Sequence, residues 1–328
     1  MREVAAHAGV STMTVSRALN DPARVSDDVR RRVADAVRAV GYVPNRLAGN
    51  LSSRRSNVVG LVVPSIDNSL FSPTVQGVSE VLRRNGHQLM IADCGYDAAA
   101  EEALITAFLA QRVAGLVLHN TTHTPEARRM LQRAAIPVVE TGTLSPDPVD
   151  MVVSYSNRDA ARAMTLHLYR LGYRRIGFVS LPSQDNDRSR DRRTGYHDAL
   201  REAGLAADAA LMLEMPPGLA SGAEAVVRLM QGAAPPPDAI FFAGDVLAVG
   251  ALFECQRRGW TVPGRVAIAA FDNFDILQHL VPRVTTLRLP RAEIGRRSAE
   301  ILLDRIRGHS QQRPRIDLRF EVIQREST

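Results

Sequence analysis

Residues 3–19 read EVAAHAGVSTMTVSRAL, and this stretch decides the fold of the amino-terminal end. A short apolar-periodic segment is followed by Gly9, which suits a sharp corner, and by Ser11, whose hydroxyl can cap a second helix. Val15 and Leu19 lie four residues apart and share one face of that helix. Two short helices around a glycine corner are typical of a helix-turn-helix, whose second helix can lie in a DNA major groove. From this stretch alone, a helical hairpin with no DNA-binding role is the alternative.

A third helix is predicted to follow the turn at residues 20–22 and to end at Gly41. Ser26 can cap this helix, and the two aspartates after it suit the positive end of the helix dipole. Valines recur at helical spacing and form the stripe that we expect to be buried: Val29, Val33, Val37 and Val40. Four arginines lie on the other faces and are expected to remain solvated: Arg30, Arg31, Arg32 and Arg38.

Positive charge is concentrated at the same end of the chain. Residues 1–56 carry ten arginines and five acidic residues, a net charge of +5 out of +6 for the 328-residue chain. A basic excess confined to one end is the electrostatic signature of contact with nucleic-acid phosphates, whereas a uniformly solvated surface would spread it. The charge distribution therefore favours the DNA-binding interpretation.

Beyond residue 56 the sequence alternates between short apolar runs, which predict strands, and stretches with helical periodicity. Such alternation predicts parallel sheets covered by helices on both faces. Two series in tandem predict an α/β core of two doubly wound lobes, with ligands bound at the carboxyl ends of strands in the cleft between them. The predicted strands are 57–63, 88–94, 113–119, 136–141, 175–180, 211–215, 238–244 and 266–272.

Several classes of protein are disfavoured by what the sequence lacks. It has no GxSxG, GxxxxGK[ST] or HExxH motif and no Cys/His cluster at metal spacing, so we expect neither an enzyme nor a bound metal or cofactor. Cys94 and Cys255 stand far apart and are interpreted as small buried residues of a reducing compartment. No apolar run is long enough to span a membrane and no signal-peptide core is present. We therefore expect a cytoplasmic protein.

Four features together resemble the headpiece and hinge of the LacI family of transcriptional repressors: AGVSTMTVSRALN at 8–20, Val25-Ser26, GYVPNRLA at 41–48 and the spacing to Leu51. The likeness continues through essentially the whole chain. Because family members usually carry a few more residues before the first helix, we expect a trimmed or misassigned start and fraying of that helix. The core architecture is also that of periplasmic sugar-binding proteins, so a transport protein is a remote alternative; the headpiece and the missing signal peptide favour a regulator.

The resemblance implies a division of the chain into three parts: a helix-turn-helix DNA-binding headpiece over 1–44, a hinge helix or linker over 45–56, and an effector-binding and dimerisation core over 57–328. It places the first lobe at about 57–155 plus 288–314 and the second at about 156–287 plus 315–328. It further implies a homodimer that binds double-stranded operator DNA, with a pseudo-palindromic site that mirrors its two-fold axis.

The resemblance also assigns the residues that contact DNA. The second helix of the helix-turn-helix is implied to be the recognition helix, which contacts base edges, with Arg17 suited to guanine and Met13 to thymine methyl groups. For Met13 the alternative is burial in the helix packing. The resemblance implies that Leu51 inserts as a wedge between base pairs. The alternative is that it covers the edge of the core. The full predicted set is Ser11, Thr12, Met13, Ser16, Arg17, then Asn20, Arg24 and Ser26 on phosphates, and Asn45, Ala48 and Leu51 in the hinge.

For the effector, IPVVETG at 136–142 and AVGALFECQRRGWTVP at 248–263 look most like the gluconate-operon repressor branch. That likeness implies a sugar acid such as gluconate, with a neutral sugar or a corepressor as alternatives. Arg192 suits a carboxylate; its alternative role is a structural ion pair in the charged run 185–193. The implied effector-binding residues are Ser65, Phe71, His119, Thr121, Glu140, Tyr155, Arg192, Asp245 and Asp272.

Overall fold

The computed structural model describes residues 1–42, 56–184, 186–232, 235–244 and 246–328. The chain divides into two compact units, Met1–Asn57 and Val58–Thr328. They correspond to the predicted helical headpiece and the predicted two-lobed α/β core. None of the described helices is long and apolar enough to cross a membrane.

Over residues 1–42 the headpiece has three helices and one 3-10 turn at Pro22–Arg24: α1 (Arg2–Ala8), α2 (Thr12–Asn20) and α3 (Asp27–Val40). Its small core contains buried side chains from all three helices: Val4, Ala5, Ala8, Val15, Ala18, Val33 and Ala36. Gly9 adopts the left-handed conformation, with φ of 64°, that ends α1 and allows the corner before α2. The expected helix-turn-helix is therefore present, although three of the four α3 valines are half-buried and Val33 alone among them is fully buried.

Arg32 is exposed, as expected, and also has a structural role. Its guanidinium donates to the carbonyl of Ala8 at 2.5 Å and to that of Gly9 at 3.2 Å, and so satisfies acceptors that the end of α1 would otherwise leave free. The sequence pattern predicts the exposure of Arg32 but not this contact, because its position on α3 does not show which helix end lies opposite. The side chain ties α3 to the corner.

The first lobe of the core is built on a parallel six-stranded sheet in the order β11-β5-β4-β3-β1-β2. The strands are β1 (Val58–Val63), β2 (Gln88–Asp93), β3 (Gly115–Leu118), β4 (Val138–Glu140), β5 (Met151–Ser154) and β11 (Arg315–Asp317). Both faces are covered, since Leu61 packs in one apolar cluster and its neighbour Val62 in the other. The helices of this lobe are α4 (Ser72–Arg84), α5 (Ala98–Ala110), α6 (Pro125–Ala134) and α11 (Arg291–Ile306).

The second lobe has a parallel sheet in the order β7-β6-β8-β9: β6 (Ile176–Ser180), β7 (Met212–Glu214), β8 (Ala239–Phe242) and β9 (Ala267–Ala270). Four helices cover it: α7 (Asn157–Arg170), α8 (Asp187–Glu202), α9 (Leu219–Gly232) and α10 (Leu247–Arg257). An antiparallel pair completes the lobe: β10 (Thr286–Arg288) and β12 (Glu321–Ile323). The predicted pair of doubly wound parallel lobes is confirmed.

The chain passes between the lobes three times: between β5 and α7, between β10 and α11, and between β11 and β12. The last crossing differs from the sequence-based division, which assigned residues 315–328 to the second lobe. Residues 315–317 form β11, which pairs with β5 in the sheet of the first lobe. The backbone pairing therefore moves this crossing to residues 318–320.

Candidate effector pocket and DNA-binding surface

Helix α2 is divided into a packed face and an exposed face. Ser11 caps it, because its Oγ accepts the backbone N–H of Thr14 at 3.1 Å, as the sequence predicts. Val15 and Ala18 are buried against the headpiece core. Thr12, Met13 and Arg17 are exposed, Ser16 is half-buried, and the Met13 side chain is 64% exposed. The structure therefore excludes burial of Met13 in the helix packing and leaves these side chains on the surface of the recognition helix.

Most headpiece arginines are held by a neighbouring aspartate. Ion pairs three or four residues apart join Arg24 to Asp21 at 2.9 Å, and likewise join Arg30–Asp27, Arg32–Asp28 and Arg38–Asp35. Among the residues that the structure describes, Arg17 has no such ion pair, so its guanidinium has no intramolecular charge competing with a DNA base. Ser26, which was expected to contact a phosphate, also caps α3, since its Oγ accepts from Val29 N at 3.4 Å.

Four predicted site residues lie outside the described part of the chain: Asn45, Ala48, Leu51 and Asp245. Asn20 ends α2, and its side chain is likewise not described. Their assigned roles therefore remain predictions.

The pocket of the core lies where the sheets of the two lobes end, as the topology predicts. It has an inner cavity of about 30 Å³ and an outer cavity of about 580 Å³, which share Leu70, Asp272 and Arg291. Four of the predicted effector residues line the inner cavity: Phe71, His119, Arg192 and Asp272. The inner cavity also receives residues that the sequence did not single out: Tyr96, Asn186, Arg188, Ser189 and Arg291.

Arg192 is a buried cation of this pocket, and its partners among the described residues are all neutral. Its Nε donates to Asn157 Oδ1 at 2.7 Å and an Nη donates to the carbonyl of Ala243 at 2.9 Å. The guanidinium lies 3.7 Å from the ring centroid of Phe271, a cation–π contact. Tyr155, which was expected to bind the effector, is buried beside Arg192, and burial raises the pKa of its hydroxyl. No carboxylate of the described residues forms an ion pair with Arg192, so its charge is available to a ligand.

The other two arginines of the inner cavity have acidic partners. Arg291 forms a two-pronged pair with Asp272, whose backbone adopts a φ of 75°, and its Nε lies 2.6 Å from Asp272 Oδ1. Arg188 lies 3.4 Å from Asp187 Oδ1. Among the described residues, the three guanidinium groups of the inner cavity outnumber the two carboxylates paired with them, and this excess of positive charge favours an anionic ligand.

His119 is held in its neutral form by this environment. Burial, and then the charges of Arg188, Arg291 and Arg192, lower the pKa of His119 well below its ordinary value. Its ring packs edge-on against Phe71 with centroids 4.8 Å apart, and its Nδ1 lies 3.3 Å from Thr141 Oγ1. A neutral imidazole can offer one donor and one acceptor to a polar ligand without adding charge.

Four predicted effector residues that the structure describes line neither cavity. One is Tyr155, buried beside Arg192, and the other three are Thr121, Ser65 and Glu140. Thr121 bonds through its backbone N–H and its hydroxyl to Asp187, at 3.1 Å for the N–H, and so bridges the lobes. Ser65 accepts the N–H of Asn68 at 3.3 Å and lines neither cavity. Glu140 has a fully buried side chain that accepts from Val149 N at 2.7 Å and contacts His123. These positions follow strands as expected, but their side chains turn to neighbours that the strand pattern cannot reveal.

Comparison with known proteins agrees with this division of the chain. Residues 1–45 match the model of bacterial regulatory proteins of the lacI family, and residues 165–328 match the periplasmic binding protein-like domain. The chain is 37% identical to the HTH-type transcriptional regulator GntR of Escherichia coli K12 over 322 residues, which cover 98% of this chain and 96% of that protein.

Two solved structures are similar in sequence and in fold. A LacI-family transcriptional regulator from Silicibacter pomeroyi is 33% identical with a TM-score of 0.92, covering 99% of this chain and 98% of the other. The transcriptional regulator CelR, solved as a complex with cellobiose, is 32% identical with a TM-score of 0.74, covering 100% and 99% of the two chains. With a matching headpiece, a matching core and relatives aligned end to end, this chain belongs to the lacI family of bacterial transcriptional regulators.

Proposed function

We propose that the protein is a homodimeric repressor that binds a pseudo-palindromic operator and is controlled by a sugar acid, gluconate being the first candidate, in the pocket between its lobes. The similarity to GntR regulators over nearly the whole chain supports the gluconate assignment. The observation that carries the ligand class is Arg192. A buried cation with neutral partners is costly, and a ligand carboxylate would offset that cost through a forked pair of hydrogen bonds.

Calorimetry with the full-length protein tests the ligand class. Gluconate and a ketogluconate should release or absorb heat on binding, and a neutral hexose should not. Arg192→Gln should remove the response to both acids, because it removes the charge and keeps a polar side chain of related length. Heat with the hexose and none with either acid would overturn the sugar-acid proposal in favour of a neutral sugar, the class that the cellobiose complex of CelR represents.

Exposed apolar side chains support the homodimer. In the second lobe Phe253, Ile276 and Val281 are 36%, 44% and 80% exposed. In the first lobe Met90 and Ile91 lie on β2, which is the edge strand of its sheet. We propose that these side chains lie in the dimer interface, since contiguous apolar patches on a surface mark association sites. Sedimentation of the full-length protein should give twice the chain mass of 35.9 kDa, and Val281→Asp should shift it towards the monomer.

The exposed face of α2 supports operator binding. A gel-shift titration with the cognate inverted repeat should show binding that weakens steeply with salt, because phosphate contacts release counterions. Leu51→Ala should abolish tight operator binding while leaving gluconate affinity intact, since the proposed wedge acts only on DNA. Unchanged operator affinity in that variant would contradict the wedge.

The ligand can regulate operator occupancy only through its different affinity for the two states of the core. Measuring operator affinity with and without gluconate therefore gives both the sign and the size of the coupling. A decrease identifies an inducer and an increase identifies a corepressor.

A further inference from the structure

A buried triad of ionisable side chains lies in the first lobe, outside the pocket. His123 Nδ1 is 2.8 Å from Glu101 Oε2, and His123 Nε2 is 3.1 Å from Glu140 Oε1. All three side chains are at most 1% exposed. Both ring nitrogens therefore face carboxylate oxygens, an arrangement that suits a doubly protonated imidazolium donating to both. Charged groups buried this completely need a structural or functional reason.

The triad is connected to the pocket through one amide. Asn120 Nδ2 donates to Glu101 Oε1 at 3.0 Å, and Asn120 Oδ1 accepts from Arg188 Nη1 at 2.9 Å. Arg188 belongs to the second lobe and lines the inner cavity. The chain of contacts thus runs from Glu140 through His123, Glu101 and Asn120 to a guanidinium that faces the ligand space.

The orientation of the Asn120 amide is set by its two hydrogen-bond partners, Glu101 and Arg188. An ionised carboxylate only accepts hydrogen bonds, so it holds the NH2 of Asn120 on its own side and turns the carbonyl oxygen towards Arg188. The ring of His123, 2.8 Å from Glu101 Oε2, holds the Glu101 carboxylate in the position that Asn120 contacts.

We propose that Glu101, His123 and Glu140 form a positioning triad that orients Asn120 and thereby fixes Arg188 in the effector pocket. None of the three touches the ligand space. Their role is to hold a second guanidinium, beside Arg192, in one geometry across the cleft. This makes His123 a determinant of ligand affinity that acts entirely through another residue.

A double-mutant cycle on the full-length protein tests the route. His123→Gln cannot bridge both carboxylates and should weaken gluconate binding about tenfold, the order expected when a charged group loses its positioning partner. In an Arg188→Gln background the same substitution should change affinity less than about twofold, because the residue through which it acts is gone. Glu102→Gln is the matched control, since Glu102 neighbours Glu101 on α5 but bonds to Thr124; it should leave affinity unchanged.

Asn120→Ala is measured in the same two backgrounds and should give the losses of affinity expected for His123→Gln. It keeps the test valid if His123→Gln folds poorly. Equal losses in the wild-type and Arg188→Gln backgrounds would show a general effect on the lobe and overturn the proposal. So would wild-type affinity in both His123→Gln and Asn120→Ala.

The gluconate-affinity measurements rest on the proposed function. A second measurement therefore tests the triad without any ligand. The guanidinium resonances of Arg188, identified by their loss in Arg188→Gln, should exchange slowly with solvent in the wild-type protein and at least about tenfold faster in Asn120→Ala and His123→Gln. If gluconate does not bind but these signals change, the gluconate assignment fails and the triad stands. If the signals are unchanged, the triad is refuted whatever the ligand.

Discussion

Replacement of His123 by glutamine should destabilise the core and flatten the dependence of its stability on pH. Burial by itself would lower the pKa of His123, but the hydrogen bonds to Glu101 and Glu140 raise it to about 9. The ordinary value is 6.5. The folded protein therefore binds this proton more tightly than the unfolded chain does.

The sign and size of the effect follow from those two values. Stabilisation by the protonated ring is fully present below pH 6.5 and is lost as the pH rises from 6.5 through about 9. A separation of roughly 2.5 pH units, at about 1.4 kcal/mol for each, gives a contribution on the order of 3 kcal/mol. The side chain has no exposed surface, so solvent screening does not reduce this figure. Burial also raises the pKa of Glu140 above its ordinary value of 4.5.

Urea unfolding of wild-type protein and His123→Gln at about pH 6, 7.5 and 9.5 measures the effect. Circular dichroism and the fluorescence of Trp260, the single tryptophan, should give coincident core transitions before free energies are compared. The difference between the two proteins should shrink by about 3 kcal/mol across the range. Two curves that stay parallel would refute a protonated His123 in the folded core.

Three further predictions concern arginines. Arg192→Gln should weaken gluconate binding at least about tenfold by calorimetry while leaving ligand-free operator affinity unchanged; equal affinity would remove Arg192 from the site. Arg17→Ala should cost about 1–3 kcal/mol of operator binding and relax selectivity at one base pair in competition gel shifts, whereas the exposed Arg31→Ala should weaken all sequences evenly. Arg32→Ala should lower headpiece stability by about 1 kcal/mol, because it removes donors from the carbonyls of Ala8 and Gly9. Faster amide exchange in α1 would show this, and unchanged exchange would contradict it.

The headpiece was predictable because its signals are local. Ser11 and Ser26 lie within three residues of the N–H groups that they cap, and Gly9 and Gly41 adopt the positive φ that ends a helix. All eight predicted core strands also form, since continuous apolar runs carry their own signature. The short β5, β10, β11 and β12 were missed. Each is only three or four residues long, and no side chain of β11 or β12 is fully buried, so no apolar run marks these two strands.

Pocket geometry was only partly predictable. Topology places Phe71, His119 and Asp272 at strand ends, and the structure finds them in the inner cavity. Arg291 could not be found this way, because its partner Asp272 is nineteen residues away on another element. Arg188 lies in the charged run 185–193, where alternating signs leave the buried member unidentified. Periodicity reports which face of an element is buried, and it is silent on which polar groups meet across a cleft.

The contacts across the cleft determine how much a ligand's binding free energy can differ between the two states of the core. Polar contacts of the described residues bridge the lobes, including Asn120–Arg188 at 2.9 Å, Thr121–Asp187 at 3.1 Å and Thr143–Asp191 at 2.8 Å. An inner cavity of about 30 Å³ has room for about one water molecule, so a sugar acid must widen it and disturb these contacts. Each hydrogen bond contributes roughly 0.5–1.5 kcal/mol net, so three of them contribute about 1.5–4.5 kcal/mol, which is comparable with the roughly 1–3 kcal/mol of typical allosteric coupling. A ligand that replaces some bridges and breaks others thus has enough differential affinity to shift the core between states.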